Sequence, residues 1–179
     1  QRVTMASQIA GADETVSSLY SVKSEQATML SFDTYNYLVH YFGQPQGSMA
    51  DDPNGTLGGD YEFVISDATA DRIELKGKKY GNRIVMKAFS ADQTWKQYLT
   101  RIKKVEDDAF FYEYDLRMDG LYTGQMLRSN YTFIVTYYDE VGKVHQKTVP
   151  FMFTTDGMRF HEPVTIDGQT MQNFVWKNE

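Results

Sequence analysis

The 179-residue chain carries 18 basic and 24 acidic side chains, and the resulting net charge of −6 argues against nucleic acid as a partner. The sequence contains no cysteine, which excludes thiolate zinc sites, thiol redox motifs and a disulfide framework. Aromatic residues make up 15% of the chain, and this content favours β structure because aromatic side chains fit pleated, half-buried surfaces.

The N-terminal region has the pattern of short strands followed by a helix. RVTMA and LYSVKS alternate apolar and polar residues, which predicts two strands, and TMLSF is predicted to be a third, short strand. In the aromatic stretch LSFDTYNYLVHYFG the period changes to that of a helix, so we expect a short helix near residues 33–42. Its apolar stripe consists of Phe32, Tyr35, Leu38, Val39 and Phe42. Tyr37 and Tyr41 fall outside this stripe, and they are therefore candidate ligand-binding residues.

The segment GQPQGSMADDPNGTLGGD, residues 43–60, is the longest predicted loop. Its acidic and amide side chains offer oxygen atoms to a cation. An EF-hand loop, however, requires a glycine at the position where Leu57 stands. We therefore predict a solvated loop without a metal ion.

An antiparallel meander of three strands is predicted next. DYEFVI places Tyr61, Phe63 and Ile65 on one face, and DRIELKG places Ile73 and Leu75 together. NRIVMKAF follows as the third strand. KKYGN, between the last two strands, is predicted to be a turn. It contains Tyr80, the third candidate ligand-binding residue.

SADQTWKQYLTRIKKV has the clearest helical pattern in the chain, and we expect an amphipathic helix near residues 91–105. Ser90 and Gln93 match the spacing of a capping box at its start. Its apolar stripe consists of Trp95, Tyr98, Leu99 and Ile102.

The C-terminal region returns to β structure, with strand patterns in AFFYEYDLRM, NYTFIVTYYD, KVHQKTVPFMFTT, GMRFHEPVTI and TMQNFVW. The whole pattern predicts a mainly β fold with an antiparallel, barrel-like or strongly curved sheet of the lipocalin type; a β-sandwich is the alternative. We expect one domain over residues 1–179, built from two β half-repeats, 1–89 and 106–179, joined by the helix. The second half-repeat opens with a full hairpin and the first with a single strand, so we also expect a missing strand before Gln1.

Motifs that signal catalysis are absent: the sequence contains no Gly-x-Ser-x-Gly elbow, no Walker loop and no His-Glu-x-x-His pattern. His40, His145 and His161 lack the spacing of metal ligands. Glu113 and Asp115 share a strand face, but a solvated sheet face explains them better than a glycosidase pair, whose separation depends on tertiary structure. We therefore predict that the protein is not an enzyme, with no catalytic residues, no metal site and no cofactor.

Basic residues are concentrated in one segment, since ten basic and two acidic residues lie between Arg72 and Lys104. Such a segment suits an anionic membrane surface, an acidic glycan or an acidic partner. A solvated hairpin and helix face is the alternative interpretation, and it is the one that we favour.

At LSFDTYN, GGDYEFVI and IELKGKKYGN the sequence resembles an uncharacterised domain-of-unknown-function family of Bacteroidetes lipoproteins. The resemblance covers roughly Val3 to Lys104 and extends more loosely to DGMRFHEPVTIDGQTMQNFVW. It implies an exported protein, lipid-anchored at the outer membrane or cell surface through an acylated cysteine that this chain lacks. Members are often encoded near starch-utilisation-type outer-membrane systems. The family has no established activity or functional residues.

The aromatic content, the missing catalytic motifs and the resemblance together predict a non-catalytic surface lipoprotein. It would be an accessory or binding component of a glycan-uptake system, with Tyr37, Tyr41 and Tyr80 stacking on sugar rings. The expected partner is a glycan or an outer-membrane protein, with membrane contact only through the lipid anchor. The alternatives are a structural or adhesion-type protein-interaction module and a barrel that binds a small lipophilic ligand.

Overall fold

The structure of the chain is a computed structural model that describes residues 1–24, 26–43, 58–109, 111–139, 141–166 and 168–177. Its described part contains twelve strands and two helices. The chain divides into two compact units, Gln1–Gln97 and Tyr98–Glu179. Most of the loop predicted over residues 43–60 lies outside the described residues, and so does the cation-binding interpretation that we set aside there.

The first unit contains a meander of six strands, in which each strand pairs antiparallel with the next along the chain. The strands are β1 (Arg2–Met5), β2 (Val16–Ser24), β3 (Thr28–Phe32), β4 (Glu62–Ala68), β5 (Arg72–Gly77) and β6 (Arg83–Lys87). A one-turn helix, α1 (Tyr37–His40), follows β3. The apolar core of this unit includes Met29, Leu38, Phe63 and Leu75, and Asn36 and Asp60 are buried as well.

The second unit contains another six-stranded antiparallel meander. Its strands are β7 (Glu113–Met118), β8 (Leu121–Ser129), β9 (Thr132–Tyr138), β10 (Val144–Phe153), β11 (Gly157–Ile166) and β12 (Gln169–Val175). The side chains of Phe133, Phe151 and Phe160 are at most 1% exposed, and the rings of the first two lie 4.3 Å apart between centroids. Ile102 and Val105 of helix α2 (Trp95–Asp108) pack on this core.

The predicted mainly β fold is confirmed, because both units are curled antiparallel sheets in the described part of the chain. Each sheet has the curvature that was predicted, and α2 matches the helix expected near residues 91–105. The half-repeats 1–89 and 106–179 and the strand before Gln1 stay predictions.

The capping box of α2 is formed by Thr94 and Gln97 rather than by Ser90 and Gln93. The backbone N–H of Gln97 donates to Thr94 Oγ1 at 3.3 Å, and that of Thr94 donates to Gln97 Oε1 at 3.1 Å. The earlier pair forms a turn instead, with the Gln93 N–H donating to the Ser90 carbonyl.

Neither described helix is long and apolar enough to cross a membrane.

Helix α1 is shorter than the helix expected near residues 33–42, because it begins only after Asn36. Asn36 has extended backbone angles, and its side-chain oxygen accepts the N–H of Leu38, which makes it the N-cap. The helical spacing therefore does not extend back to Phe32, which ends β3. Tyr35 is 61% exposed, so its predicted place in the core is wrong.

Candidate binding cleft in the first unit

A cleft of about 370 Å³ lies beside the loop that joins β5 to β6, and we call it the hairpin cleft. Its described lining consists of Gly43, Gly59, Asp60, Tyr61, Glu62, Lys78, Lys79 and Tyr80. Two segments that are distant in sequence meet there, the entry to β4 and the β5–β6 loop. The volume falls in the range of small-molecule sites, about 300–1,000 Å³.

Asp60 holds these two segments together. Its side chain is buried, and its carboxylate accepts the backbone N–H groups of Lys79 at 2.7 Å and Tyr80 at 3.2 Å. The side-chain amide of Asn82 donates to the same carboxylate at 3.2 Å. A buried carboxylate is stable only when hydrogen bonds replace its hydration, and three donors do so here. The loop that contains Tyr80 is thus fixed by a residue some twenty positions earlier.

Two glycines allow the close approaches that this arrangement needs. A Cβ atom at Gly77 would lie 1.9 Å from the Asp60 carboxylate, and one at Gly59 would lie 2.2 Å from Phe42 Cβ. The Gly59 N–H also donates to the Phe42 carbonyl at 2.9 Å. Gly59 of GGDYEFVI and Gly77 of IELKGKKYGN therefore have a packing role.

Tyr61 provides an aromatic wall of the cleft, and its position depends on α1. Its side chain is 45% exposed, and its ring stacks on His40 at 5.1 Å between centroids. His40 Nδ1 lies 3.1 Å from the backbone nitrogen of Asn36 and 2.9 Å from its carbonyl oxygen. Asn36 is completely buried, and its side-chain amide donates to Ser18 Oγ at 3.1 Å. Asn36 therefore orients the ring that supports Tyr61.

Charged groups lie next to these aromatic rings. Glu62 and Lys78 form an ion pair at 3.1 Å, with both side chains about a third to a half exposed. The Lys79 ammonium lies 4.7 Å from the centroid of the Tyr80 ring. The cleft thus combines aromatic surface with a carboxylate acceptor and ammonium donors.

The three predicted ligand-binding tyrosines lie in different surroundings. Tyr80 lines the cleft and is 37% exposed. Tyr37 donates its hydroxyl hydrogen bond to Glu14, and this bond raises the pKa of the Tyr37 phenol above its ordinary value. Tyr41 is exposed, and its ring contacts the Phe42 ring edge-on, with 5.3 Å between the ring centroids. The structure brings Tyr80 together with Tyr61, and places Tyr37 and Tyr41 on α1 and at its end.

Sequence reasoning missed Tyr61 as a candidate because strand alternation grouped it with Phe63. Tyr61 precedes β4, whereas Phe63 lies within it and is 3% exposed. The pair Gly58–Gly59 was the signal in the sequence that Tyr61 could be exposed. Glycine adopts backbone conformations that interrupt the strand, so the alternation of inward and outward side chains need not extend back to Tyr61.

Glu113 and Asp115, the acidic pair for which the sequence predicts a solvated sheet face, are engaged by neighbours. Glu113 accepts a hydrogen bond from Gln125, and Asp115 pairs with Arg117 at 3.0 Å. No group of three or more potential metal ligands occurs within the part of the chain that the structure describes.

A family model matches residues 1–178, and that family is described as a domain of unknown function, DUF4302. The chain belongs to this family. No curated protein and no solved structure matches it. Two motifs of this DUF4302 chain, GGDYEFVI and IELKGKKYGN, contribute Asp60 and Lys78–Tyr80 to the lining of the hairpin cleft. The third motif, LSFDTYN, contributes Asn36, which caps α1.

Proposed function

We propose that the protein is a non-catalytic surface lipoprotein of Bacteroidetes that binds a glycan in the hairpin cleft, as an accessory component of a glycan-uptake system. The observation that carries this proposal is the pairing of two half-exposed tyrosines, Tyr61 and Tyr80, with the Glu62–Lys78 ion pair.

A sugar ring matches this combination of groups. One face of a pyranose consists of C–H groups with a slight positive charge, and aromatic faces are negative, so the two attract each other. The hydroxyl groups at the rim of the ring both donate and accept hydrogen bonds. A carboxylate such as Glu62 accepts from them, and an ammonium such as Lys78 donates to them.

The rigidity of the cleft also supports a binding role. Asp60 fixes the β5–β6 loop through three hydrogen bonds, and His40 backs the Tyr61 ring. A site that is ordered before its ligand arrives spends little free energy on ordering, which favours binding of weakly interacting ligands such as sugars.

The cellular setting rests on the resemblance to lipoproteins encoded near starch-utilisation-type systems. A lipid anchor at the outer membrane or cell surface would present the cleft to extracellular glycans. The lipophilic-ligand alternative draws no support from the described core of the second unit, because Phe133, Phe151 and Phe160 fill it.

A calorimetric titration with oligosaccharides tests the proposal. A thermal-shift screen first selects the glycan class, since a ligand that binds only the folded protein raises its stability. Tyr61→Ala and Tyr80→Ala are each expected to weaken binding about 2- to 12-fold, the range for losing one aromatic contact. Tyr122→Ala, which removes a 52% exposed tyrosine from the second unit, is the matched control and should leave affinity unchanged.

Two results would contradict the proposal. The first is the lack of any dose-dependent shift across host and plant glycans at millimolar concentration. The second is a bound glycan whose affinity is the same for the wild type, Tyr61→Ala and Tyr80→Ala. If Tyr37→Ala and Tyr41→Ala weakened binding instead, the site would lie on α1.

A further inference from the structure

Strand β6 is an exposed edge with an apolar centre. It comes last in the strand order of the first sheet, and in the described part of the chain it pairs with β5 alone. Its central side chains are unusually open: Ile84 is 39% exposed, Val85 41% and Met86 48%. On the neighbouring strand Leu75, which is paired with Ile84, is only 3% exposed.

The register shows which backbone groups of β6 point away from β5. The Gly77 N–H donates to the Asn82 carbonyl, and the Ala88 N–H donates to the Asp71 carbonyl, both at 2.8 Å. Hydrogen-bonded pairs alternate along an antiparallel ladder, so Ile84 and Met86 between them also bond to β5. The N–H and C=O groups of residues 83, 85 and 87 therefore point outward, where another strand would pair.

The two faces of this edge differ in charge. Ile84 and Met86 share one face and make it apolar, whereas Arg83, Val85 and Lys87 share the other. Their partners on β5 across that second face are Arg72, Glu74 and Lys76. Glu74 pairs with both arginines, but Lys76 and Lys87 have no ion pair among the described residues. The second face thus carries a net positive charge.

We propose that β6 is a docking edge for an extended segment of a partner protein in which acidic and apolar residues alternate. The segment adds to the sheet as an antiparallel strand, and its backbone bonds to residues 83, 85 and 87. Its apolar side chains lie beside Ile84 and Met86, and its carboxylates lie opposite Arg83 and Lys87. This site is separate from the glycan proposal and does not depend on it.

Charge argues against a second copy of the chain as the occupant. Antiparallel pairing of β6 with itself about Val85 would place Arg83 of each copy opposite Lys87 of the other. Like charges directly opposite each other destabilise a strand pair. The same cations attract a strand with acidic residues at those two positions.

A peptide titration tests the proposal. The probe is a fluorescein-labelled peptide, Thr-Glu-Val-Thr-Val-Glu-Thr, whose antiparallel register sets its glutamates opposite Lys87 and Arg83. We expect saturable binding by fluorescence anisotropy. Two control peptides should not bind. The first has lysine in place of both glutamates and loses the charge match. The second has an N-methyl group on the central threonine and loses a hydrogen bond to the strand edge.

Two variants locate the binding on β6. Val85→Pro removes an outward N–H without breaking the ladder to β5, and it should abolish binding. Lys87→Glu should weaken the glutamate peptide about three- to tenfold and improve binding of the lysine peptide. Lys143→Glu, the same charge change in a loop of the second unit, should change neither affinity.

The competing outcomes are distinct. If the glutamate peptide does not bind, or if Lys87→Glu leaves its affinity unchanged, the proposal is wrong and the cations only protect a free edge against aggregation. If the protein dimerises in light scattering and Val85→Pro makes it monomeric, the occupant is a second copy and the proposal is likewise overturned.

Discussion

The two units of the chain share a six-stranded antiparallel meander but differ in what they bury. The second unit encloses phenylalanines that are at most 1% exposed, whereas the first unit buries Asn36 and Asp60 together with its apolar residues. The first unit also leaves the apolar centre of its edge strand β6 open. A buried polar group costs stability unless it is fully hydrogen-bonded, so its presence usually serves precise positioning. We therefore expect the second core to contribute most of the stability, and we propose that the first unit binds the ligand.

The largest expected effect is on the second core. Phe160→Ala removes a completely buried ring that contacts Phe133 and Phe174, and we expect a loss of about 3–5 kcal/mol in the free energy of unfolding. Denaturant unfolding followed by far-UV circular dichroism measures it. Leu121→Ala, at a 74% exposed position in the same unit, should cost less than about 0.5 kcal/mol. Equal losses for the two variants would contradict the assignment of stability to this core.

The next effect separates positioning from packing in the first unit. Asp60→Ala leaves the N–H groups of Lys79 and Tyr80 without their acceptor, which should cost about 1–3 kcal/mol. Because the β5–β6 loop loses its anchor, glycan affinity should fall as well, although the Asp60 carboxylate is buried and already accepts hydrogen bonds from three donors. Unfolding and calorimetry on the same sample check both effects. If Asp60→Ala is destabilised but its glycan affinity is unchanged, the β5–β6 loop does not need Asp60 to keep its binding conformation.

A smaller effect is expected from the cap of α1. Asn36→Ala removes the N-cap of α1 and the bond to Ser18, and the loss of a cap costs about 0.5–2 kcal/mol. The His40 ring that supports Tyr61 should then be less ordered. Asn36→Asp keeps the cap acceptor and serves as the partial rescue. The effect on Tyr61 is measured from the NMR chemical shifts of its ring protons. If the variant loses stability but these chemical shifts do not change, Asn36 only caps α1 and does not position Tyr61.

The smallest effect is a pH dependence confined to the second unit. Three hydrogen bonds lower the pKa of the Asp139 carboxyl below its ordinary value of 3.8. They come from His145 Nε2, which lies 2.8 Å from Asp139 Oδ2, and from the backbone N–H groups of Lys143 and Val141. A carboxyl with a lowered pKa in the folded state contributes stability above its unfolded pKa, and that contribution disappears as pH falls through the folded value. The contribution should therefore be complete above pH 3.8 and lost below it.

Asp139→Asn isolates this effect. The variant should be less stable than the wild type at pH 5, and the difference should shrink as pH drops below 3.8. Unfolding curves between pH 2 and 6 measure it. A difference that is constant over this range would show that the hairpin contact does not depend on the charge of Asp139.

Local sequence patterns predict most of the strands but not all of them. Alternating apolar and polar residues predict β4, β5 and β9, because buried side chains in each of these strands lie on one face. Strand β8 was missed, since LYTGQMLRS mixes polar residues with Gly124 and alternates poorly. The signal for its hairpin was the Asp119–Gly120 pair, whose positive φ angles of 51° and 80° suit the tight turn between β7 and β8.

The candidate site was harder to predict, because its key contact joins distant residues. Tyr80 was identified from its turn, but nothing in KKYGN indicates that Asp60 would bind its backbone. A carboxylate after two glycines matches many loop structures, and only the fold brings it under the β5–β6 loop. Exposure of Tyr61 likewise depends on where β4 begins, and strand ends are the least certain part of a sequence prediction.

Glycan binding in the hairpin cleft can be mapped by a titration of ¹⁵N-labelled protein with the glycan selected in the thermal-shift screen. We expect saturable chemical-shift changes that are concentrated in the backbone amides of residues 59–62 and 78–82 and in the Asn82 side-chain amide. Saturable shifts confined to residues of the second unit, or no shifts at millimolar glycan, would contradict the proposal.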